Sequence, residues 1–335
     1  MEELIVQYFN NLHTVVLLVI IAFFLYVLGK GADLVVEEAV KMSLAWGVPK
    51  VIIGSTIVSL GTTLPETSVS VVAAIQGNSG IALGNAVGSI IADTALILGL
   101  AIIIGLVPAG SQQIRKQSNI QIASVLLLTL ACLVYLPSSE GARVAQWMGF
   151  VLVALLILYI VHSIRSNKSE TELGDEAERA KEGSLIKTFF ALAFGIILII
   201  VSSKSLIPAV QIVATRAGIP EAVIGATLVA FGTSLPELIT SLTAVRKNHG
   251  DLAIGNVIGA DILNVLFVAG VSAAVTPAGL EVPKTFFLVQ IPFMLLSVFF
   301  LKVAIVKTGE NFSKGVGYSL LLMYVGYLGL TFLAK

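Results

Sequence analysis

"GTTLPE", Gly61 to Glu66, interrupts an apolar run with a carboxylate beside a proline, and nearly the same six letters return as "GTSLPE", Gly232 to Glu237. Sliding the chain against itself by 171 residues aligns Gly54 to Leu100 with Gly225 to Val271 without a gap, and 16 of the 47 pairs are identical. Identities fall on polar positions: Thr62 with Thr233, Glu66 with Glu237, Ser70 with Ser241, Asn85 with Asn256. Two unrelated apolar helices would not concentrate their matches there, so the chain reads as a duplicated unit.

Hydrophobic residues make up 57% of the 335 positions and charged residues 12%, with a mean hydropathy of +0.99. That balance belongs in a lipid bilayer. A formal net charge of zero, with no block of like charges, argues against a nucleic-acid partner. The single cysteine, Cys132, has no partner for an internal disulfide and reads as a small apolar filler. Acids at the start, "MEELIVQYFNNLHT", oppose a cleavable signal peptide, so the N-terminus reads as mature.

With roughly 20 residues needed per crossing, the hydropathy pattern predicts about ten spans, centred near Phe24, Val58, Ile91, Leu127, Leu155, Ile197, Leu228, Leu263, Leu296 and Leu322. The longest polar stretch, 166–184, has mixed charge and no apolar face and reads as a linker, with "ELGDEAERAKEG" able to form a short surface helix. The expected fold is therefore an all-α membrane protein of two five-span units, 1–165 and 185–335. Five is odd, so the units cross the bilayer in opposite directions. Inverted repeats of this kind are built into secondary transporters, with binding sites near the midplane where the repeats meet. With the N-terminus outside, thirteen basic residues fall in inner loops and four in outer ones. This bias predicts a multi-pass protein of the cell membrane with both termini outside and the linker in the cytoplasm.

Thr62, Glu66 and Ser70 recur at intervals of four and form one oxygen-bearing helical stripe, which Thr233, Glu237 and Ser241 repeat. Pro65 and Pro236 lack an amide hydrogen, and the expected result is free carbonyls one turn earlier, near Ser59 and Thr62 or Ala230 and Thr233. Such carbonyls are tolerable in a bilayer only where they line a cavity or hold a ligand. Asn85, Ser89 and Asp93 continue the pattern in the third span, and Asn256, Ala260 and Asn264 in the eighth. Gly84, Gly88, Gly255 and Gly259 permit close helix approach. Together these positions offer hydroxyl, amide, carboxylate and carbonyl oxygens, the ligand set of hard cations. Histidine and cysteine are absent from them, which disfavours zinc, copper and iron. Taken singly, the glutamates also read as neutral hydrogen-bonded groups, and Ser70 and Ser241 as hydroxyls bonded within the bundle.

"GTTLPE" with "GNAVGSIIAD", and "GTSLPE" with "GNVIGADILN", resemble the two alpha repeats of the cation/calcium exchanger superfamily, in its sodium/calcium exchanger branch. The resemblance implies antiport of Ca2+ against Na+ by alternating access, with no cofactor. It implies a calcium site on Glu66 and Glu237 with Thr62 and Thr233, and sodium sites drawing on Thr63, Ser234, Ser89, Asp93 and Asn264. The long first and sixth helices would move past a fixed core. Three departures stand out: Ala260 where the family commonly has serine, the acid at Asp93 with Asn264 opposite, and an additional Asp261. Asp261 either supplies the missing acid beside Asn264 or points at a neighbouring helix. Asp33 corresponds in position to Lys204, as a pair across the repeat interface or as two separate interfacial charges.

Proton-coupled calcium exchange is the nearest alternative, although its branch tends to carry an acid where this chain has Gly88 and Gly259. An intramembrane aspartyl protease using Asp93 and Asp261 is more remote and leaves both "LPE" stripes unexplained. A passive channel fits poorly with acids buried this deeply, which favour tight binding over fast flux.

Overall fold

The computed structural model describes residues 2–134, 142–166, 185–218, 232–284 and 286–333. The expected linker helix and Ala230 lie outside the described residues. A short helix α1, Glu2–Asn10, precedes α2, Thr14–Trp46, which ends where Gly47 turns left-handed at φ 61°. Helix α3, Lys50–Thr62, bends by 47° into α4, Leu64–Ile75. The break falls at Thr63, immediately before the Leu64–Pro65 pair that opens α4, as expected of a proline tolerated only in a helix's first turn.

Then follow α5, Ser79–Ile104, α6, Gln112–Val134, and α7, Gln146–Arg165. The second half supplies α8, Leu185–Arg216, α9, Leu235–Arg246, α10, Gly250–Ala274, α11, Phe286–Lys307, and α12, Lys314–Leu333. Two short strands, β1 at Arg143–Val144 and β2 at Leu280–Glu281, pair antiparallel. Among the described residues, seven helices are long and apolar enough to cross a membrane, and the bent pair α3–α4 makes eight. Helix α12 contains the tenth expected centre, Leu322, whereas the seventh, Leu228, lies outside the described residues.

Connections gather at two ends of the bundle. At the first, the Arg216 guanidinium donates to the carbonyls of Leu12 (2.9 Å) and Asn10 (3.0 Å), so α8 ends where α2 begins and the two run antiparallel. Gly80, at the α4–α5 corner, lies against Pro283 beside β2. At the second end, Lys50 Nζ meets His249 Nδ1 at 3.2 Å, Gly250 abuts the Leu106 carbonyl, and the Ala109 amide donates to the Glu310 carbonyl at 2.8 Å. The α4–α5 and α9–α10 corners thus lie at opposite ends.

The core sits where α3, α5 and α10 cross. Gly255 faces the Val51 carbonyl and Gly259 the Ser55 backbone, so closely that a Cβ on Gly259 would lie 2.3 Å from the Ser55 Cα. Only glycine permits this approach, which brings the polar faces of α3 and α10 together. Large side chains on the outer helices, among them Leu18, Phe190, Leu288 and Leu322, are exposed and form the surface a bilayer would cover. Gly259→Ala is expected to lower the thermal unfolding midpoint in detergent, with an overpacking cost of about 3 kcal/mol because the obstructing atoms are backbone. An unchanged midpoint would show that the crossing is looser than described.

Candidate functional site

The break before α4 and its counterpart before α9 have matching backbones: Thr63 at φ −81°, ψ 0° and Ser234 at φ −84°, ψ 10°. Each break carries a hydroxyl and, three residues later, a glutamate in the first turn of the new helix. The hydroxyls cross over. Thr63 Oγ1 donates to Glu237 Oε1 and Ser234 Oγ donates to Glu66 Oε1, both at 3.3 Å. Both carboxylates are buried, within reach of each other's charge, and each keeps its Oε2 without a hydrogen-bond partner.

Asp93 and Asn264, also related by 171 positions, meet each other: Asn264 Nδ2 donates to Asp93 Oδ2 at 3.3 Å. Equivalent positions of the sequence repeat are thus in direct contact with each other, as they would be on a twofold axis relating the two copies. Both lie in single π-helical turns, Ala92–Ile97 and Asn264–Ala269. Such turns recur at functional sites because they swing a side chain out of the regular helical register.

A second layer braces the first. Asn85 Nδ2 donates to Ser70 Oγ (2.9 Å) and to the Glu66 carbonyl (3.1 Å), while its Oδ1 accepts from Thr233 Oγ1 (3.1 Å). Asn256 Nδ2 likewise donates to Ser241 Oγ at 3.1 Å. Ser70 further donates to the Ala82 carbonyl, so Ser70 and Ser241 tie helix to helix. Ser89 Oγ lies 3.2 Å from Ser234 Oγ and donates to it, since the one Ser234 proton goes to Glu66. Ala260 is buried and contributes no polar side-chain atom.

Some expectations change. The Ser59 carbonyl is not free, because it accepts from the Thr63 amide at 2.9 Å and from Thr62 Oγ1 at 3.3 Å. The bend at Thr63 preserves this last helical bond despite Pro65. Thr62 itself lies beside Glu237 and Thr233 beside Glu66. Asp261 points away from Asn264 and accepts from Thr94 Oγ1 on α5 and Gln121 Nε2 on α6. Since Asp93 and Asp261 engage different partners, they do not form a shared-proton dyad.

Asp33 does not pair with Lys204. It meets Lys247 (3.0 Å), which also reaches Glu37 (2.8 Å), joining α2 to the α9–α10 corner. Burial works against the Lys247 charge, but the bonds to Glu37 and Asp33 hold its ammonium above the ordinary value. Nearby His249 is pushed below its ordinary value by burial and then by the Lys50 charge. Lys204 instead lines a cavity of about 250 Å³ with Val6, Pro65, Val69, Gln211 and Thr233, which leads from the first end of the bundle toward the glutamates. Lys247, Thr94 and Gln121 were not picked out as partners in the sequence. The i, i+4 pair Gln117 and Gln121, inside an apolar helix, was the available signal.

Unpartnered buried oxygens therefore gather around the axis: Glu66 Oε2, Glu237 Oε2, Asp93 Oδ1, Asn256 Oδ1 and Asn264 Oδ1. Among the described residues no Lys, Arg or His forms an ion pair with these acids. Nor do three His, Cys, Asp or Glu side chains cluster tightly enough to hold a metal by themselves. The arrangement suits a cation taken by carboxylates and neutral oxygens together.

The profile of the family described as "Sodium/calcium exchanger protein" matches residues 16–165 and 187–333. The chain belongs to that family. It is 31% identical to the inner membrane protein YrbG of Escherichia coli (strain K12) over 258 residues, 75% of this chain and 77% of that one. To the sodium/calcium exchanger MaX1 of Methanosarcina acetivorans it is 27% identical over 334 residues, covering 90% and 95%. A solved structure of the sodium-calcium exchanger NCX_Mj, soaked with 10 mM Na+ and zero Ca2+, superposes with a TM-score of 0.80 at 26% identity, covering 95% of this chain and 99% of that one. This chain is thus a multi-pass membrane protein of ion transport, in the cation-exchanger class.

Asn85→Ala removes three hydrogen bonds and Asn256→Ala one. The first is expected to lower the thermal midpoint in detergent more than the second, with about 1–3 kcal/mol at stake for each buried polar partner stranded. Equal shifts would contradict the bracing role given to Asn85.

Proposed function

We propose that this protein exchanges Ca2+ for Na+ across the cell membrane by alternating access. The observation that carries this reading is the reciprocal pair of bonds, Thr63 to Glu237 and Ser234 to Glu66, which leaves one oxygen of each glutamate buried and free. Calcium would bind between Glu66 and Glu237, helped by Thr62 and Thr233. Sodium ions would draw on Thr63, Ser234, Ser89, Asp93 and Asn264, with the second layer holding the geometry. A divalent ion, or several monovalent ones, cancels the repulsion between the glutamates and allows the site to close.

The two units are 1–165 and 185–335, inverted and joined by a cytoplasmic linker, making ten spans. Opposite placement of the α4–α5 and α9–α10 corners supports the inversion. Lys50, Lys247, Arg115 and Lys302 share the second end of the bundle, which supports a cytoplasmic assignment for that end and an exterior N-terminus. Glycines at the two GNxxG ends favour sodium over proton coupling.

In proteoliposomes, an imposed sodium gradient is expected to drive calcium uptake when an equal proton gradient does not. Glu66→Gln or Glu237→Gln should lower that uptake about a hundredfold or more, since stranding a buried charge interaction costs at least about 3 kcal/mol. Uptake at the normal rate in either variant would remove the central assignment.

The cavity that leads to the site opens at the first end, while Lys247 closes α2 onto the core at the second. If α2 and α8 slide past the core, Lys247→Met should favour the opposite state. A cysteine placed at Val69 in the cavity wall would then react severalfold more slowly with a hydrophilic maleimide in detergent. The native Cys132 is buried and adds no background. An unaltered rate would sever the link between this ion pair and access.

A further inference from the structure

One acidic constellation stands outside the duplicated site. Asp261 is fully buried, and its Oδ2 accepts from both Thr94 and Gln121. Shifted by 171 positions, Asp261, Thr94 and Gln121 correspond to Ile90, Val265 and Pro292, so no copy of this group exists in the other half. It is therefore an addition to one side of the duplicated pattern, drawn from α10 and from α5 and α6, each of which packs on α10.

Three oxygens in this region lack partners while fully enclosed: Asp261 Oδ1, Gln121 Oε1 and Asp93 Oδ1. Asp93 and Asp261 lie within each other's electrostatic reach, and among the described residues neither meets a basic side chain. Two buried carboxylates whose charges act on each other repel in a low dielectric, and leaving both uncompensated is costlier than burying either alone. One calcium ion balances Glu66 and Glu237 and leaves these two over. The arrangement calls for a small positive charge off the axis, and the ligands on offer are a carboxylate, a second carboxylate, an amide oxygen and a hydroxyl. Calcium gains most from six to eight oxygens, more than this corner supplies, whereas a monovalent hard cation accepts fewer. A proton would satisfy two of the three stranded oxygens and leave the third.

We propose that Asp261, Gln121 and Thr94, adjoining Asp93, form a second cation position, off the pseudo-twofold axis, that takes one sodium ion. It rests on the reading of the chain as a sodium-handling exchanger, but its test does not depend on exchange. In the structure the Gln121 amide nitrogen donates to Asp261. With sodium bound, the same amide turns its oxygen inward, and Thr94 offers its lone pairs.

The test uses purified full-length protein in detergent, with the thermal midpoint followed as NaCl replaces choline chloride at constant ionic strength. In Glu66→Gln/Glu237→Gln, where the axis site has lost both glutamates, sodium should still raise the midpoint in a saturable way, as a ligand of the folded state does. Adding Asp261→Asn, which retains an acceptor for Thr94, should abolish that rise. Adding Gln121→Leu instead should raise the half-saturating sodium concentration about tenfold through loss of one ligand. The proposal is overturned if the double variant shows no sodium-dependent rise, if the rise survives Asp261→Asn, or if the midpoint follows pH and ignores sodium, which would make the occupant a proton. Failure here with normal loss of uptake in Glu66→Gln would leave the axis site standing. A sodium rise lost on Asp261→Asn, together with undiminished uptake in Glu66→Gln, would do the reverse.

Discussion

The bundle is arranged around acids that are buried and that, among the described residues, form no ion pair with a basic side chain. At 4 Å, two unit charges interact with about 4 kcal/mol even at an effective dielectric of 20, so Glu66 and Glu237, facing each other with Asp93 nearby, form an unfavourable group when empty. A protein needing only a stable core would replace these side chains with leucine. Keeping them makes sense when a cation supplies the missing charge. On the proposed reading the repulsion acts as a gate, because only an occupied site could be closed at low cost. The hydrogen bonds around the glutamates have a matching division: one oxygen of each is held by a hydroxyl from the opposite half, and the other is buried without a hydrogen-bond partner.

Backbone features serve this placement. The breaks at Thr63 and Ser234 stop one helix and start another within the span, so that hydroxyl and glutamate from the two halves can interlock. Tight contact of Gly255 and Gly259 with α3 brings the second polar layer close. The π-helical turns set Asp93 and Asn264 on the axis, where a single pair must serve both halves. At such a position symmetry would give two acids or two amides. One of each makes a hydrogen bond that two carboxylates could not, which accounts for the acid occurring only once.

The "LPE" motifs, their spacing and the 171-residue offset single out Glu66, Glu237, Thr63, Ser234, Asn85 and Asp93, which the structure brings together, because local periodicity and internal repetition both mark them. Contacts without those two signals stayed hidden. Asp33 was matched with Lys204 by repeat position, yet it pairs with Lys247, since α2 meets the α9–α10 corner at the opposite end of the bundle. Repeat symmetry relates equivalent residues; it does not require them to touch. Asp261 was similarly ambiguous, because its direction depends on packing of α10 against α6, and Gln121 gave only a pair of amides in an apolar helix as its sign. The freed carbonyl expected at Ser59 failed for a local reason: the amide Pro65 lacks would bond the carbonyl of Gly61, four residues back, whereas the Ser59 carbonyl takes the Thr63 amide.

The relative sizes of these forces bear on what sets the direction of the cycle. Lys247, Asp33 and Glu37 are partly exposed, at 30%, 40% and 55% of their side-chain surface, and such pairs contribute at most about 1 kcal/mol each. Charge compensation inside the bundle is several times larger. On the proposed alternating-access reading, the ion pair at the second end would therefore bias which way the protein faces without an ion, and the occupant of the axis site would determine whether it turns at all. A device of that strength is useful because it is weak: a stronger lock would have to be broken in every cycle, and would slow transport by as much as it steadied the resting state.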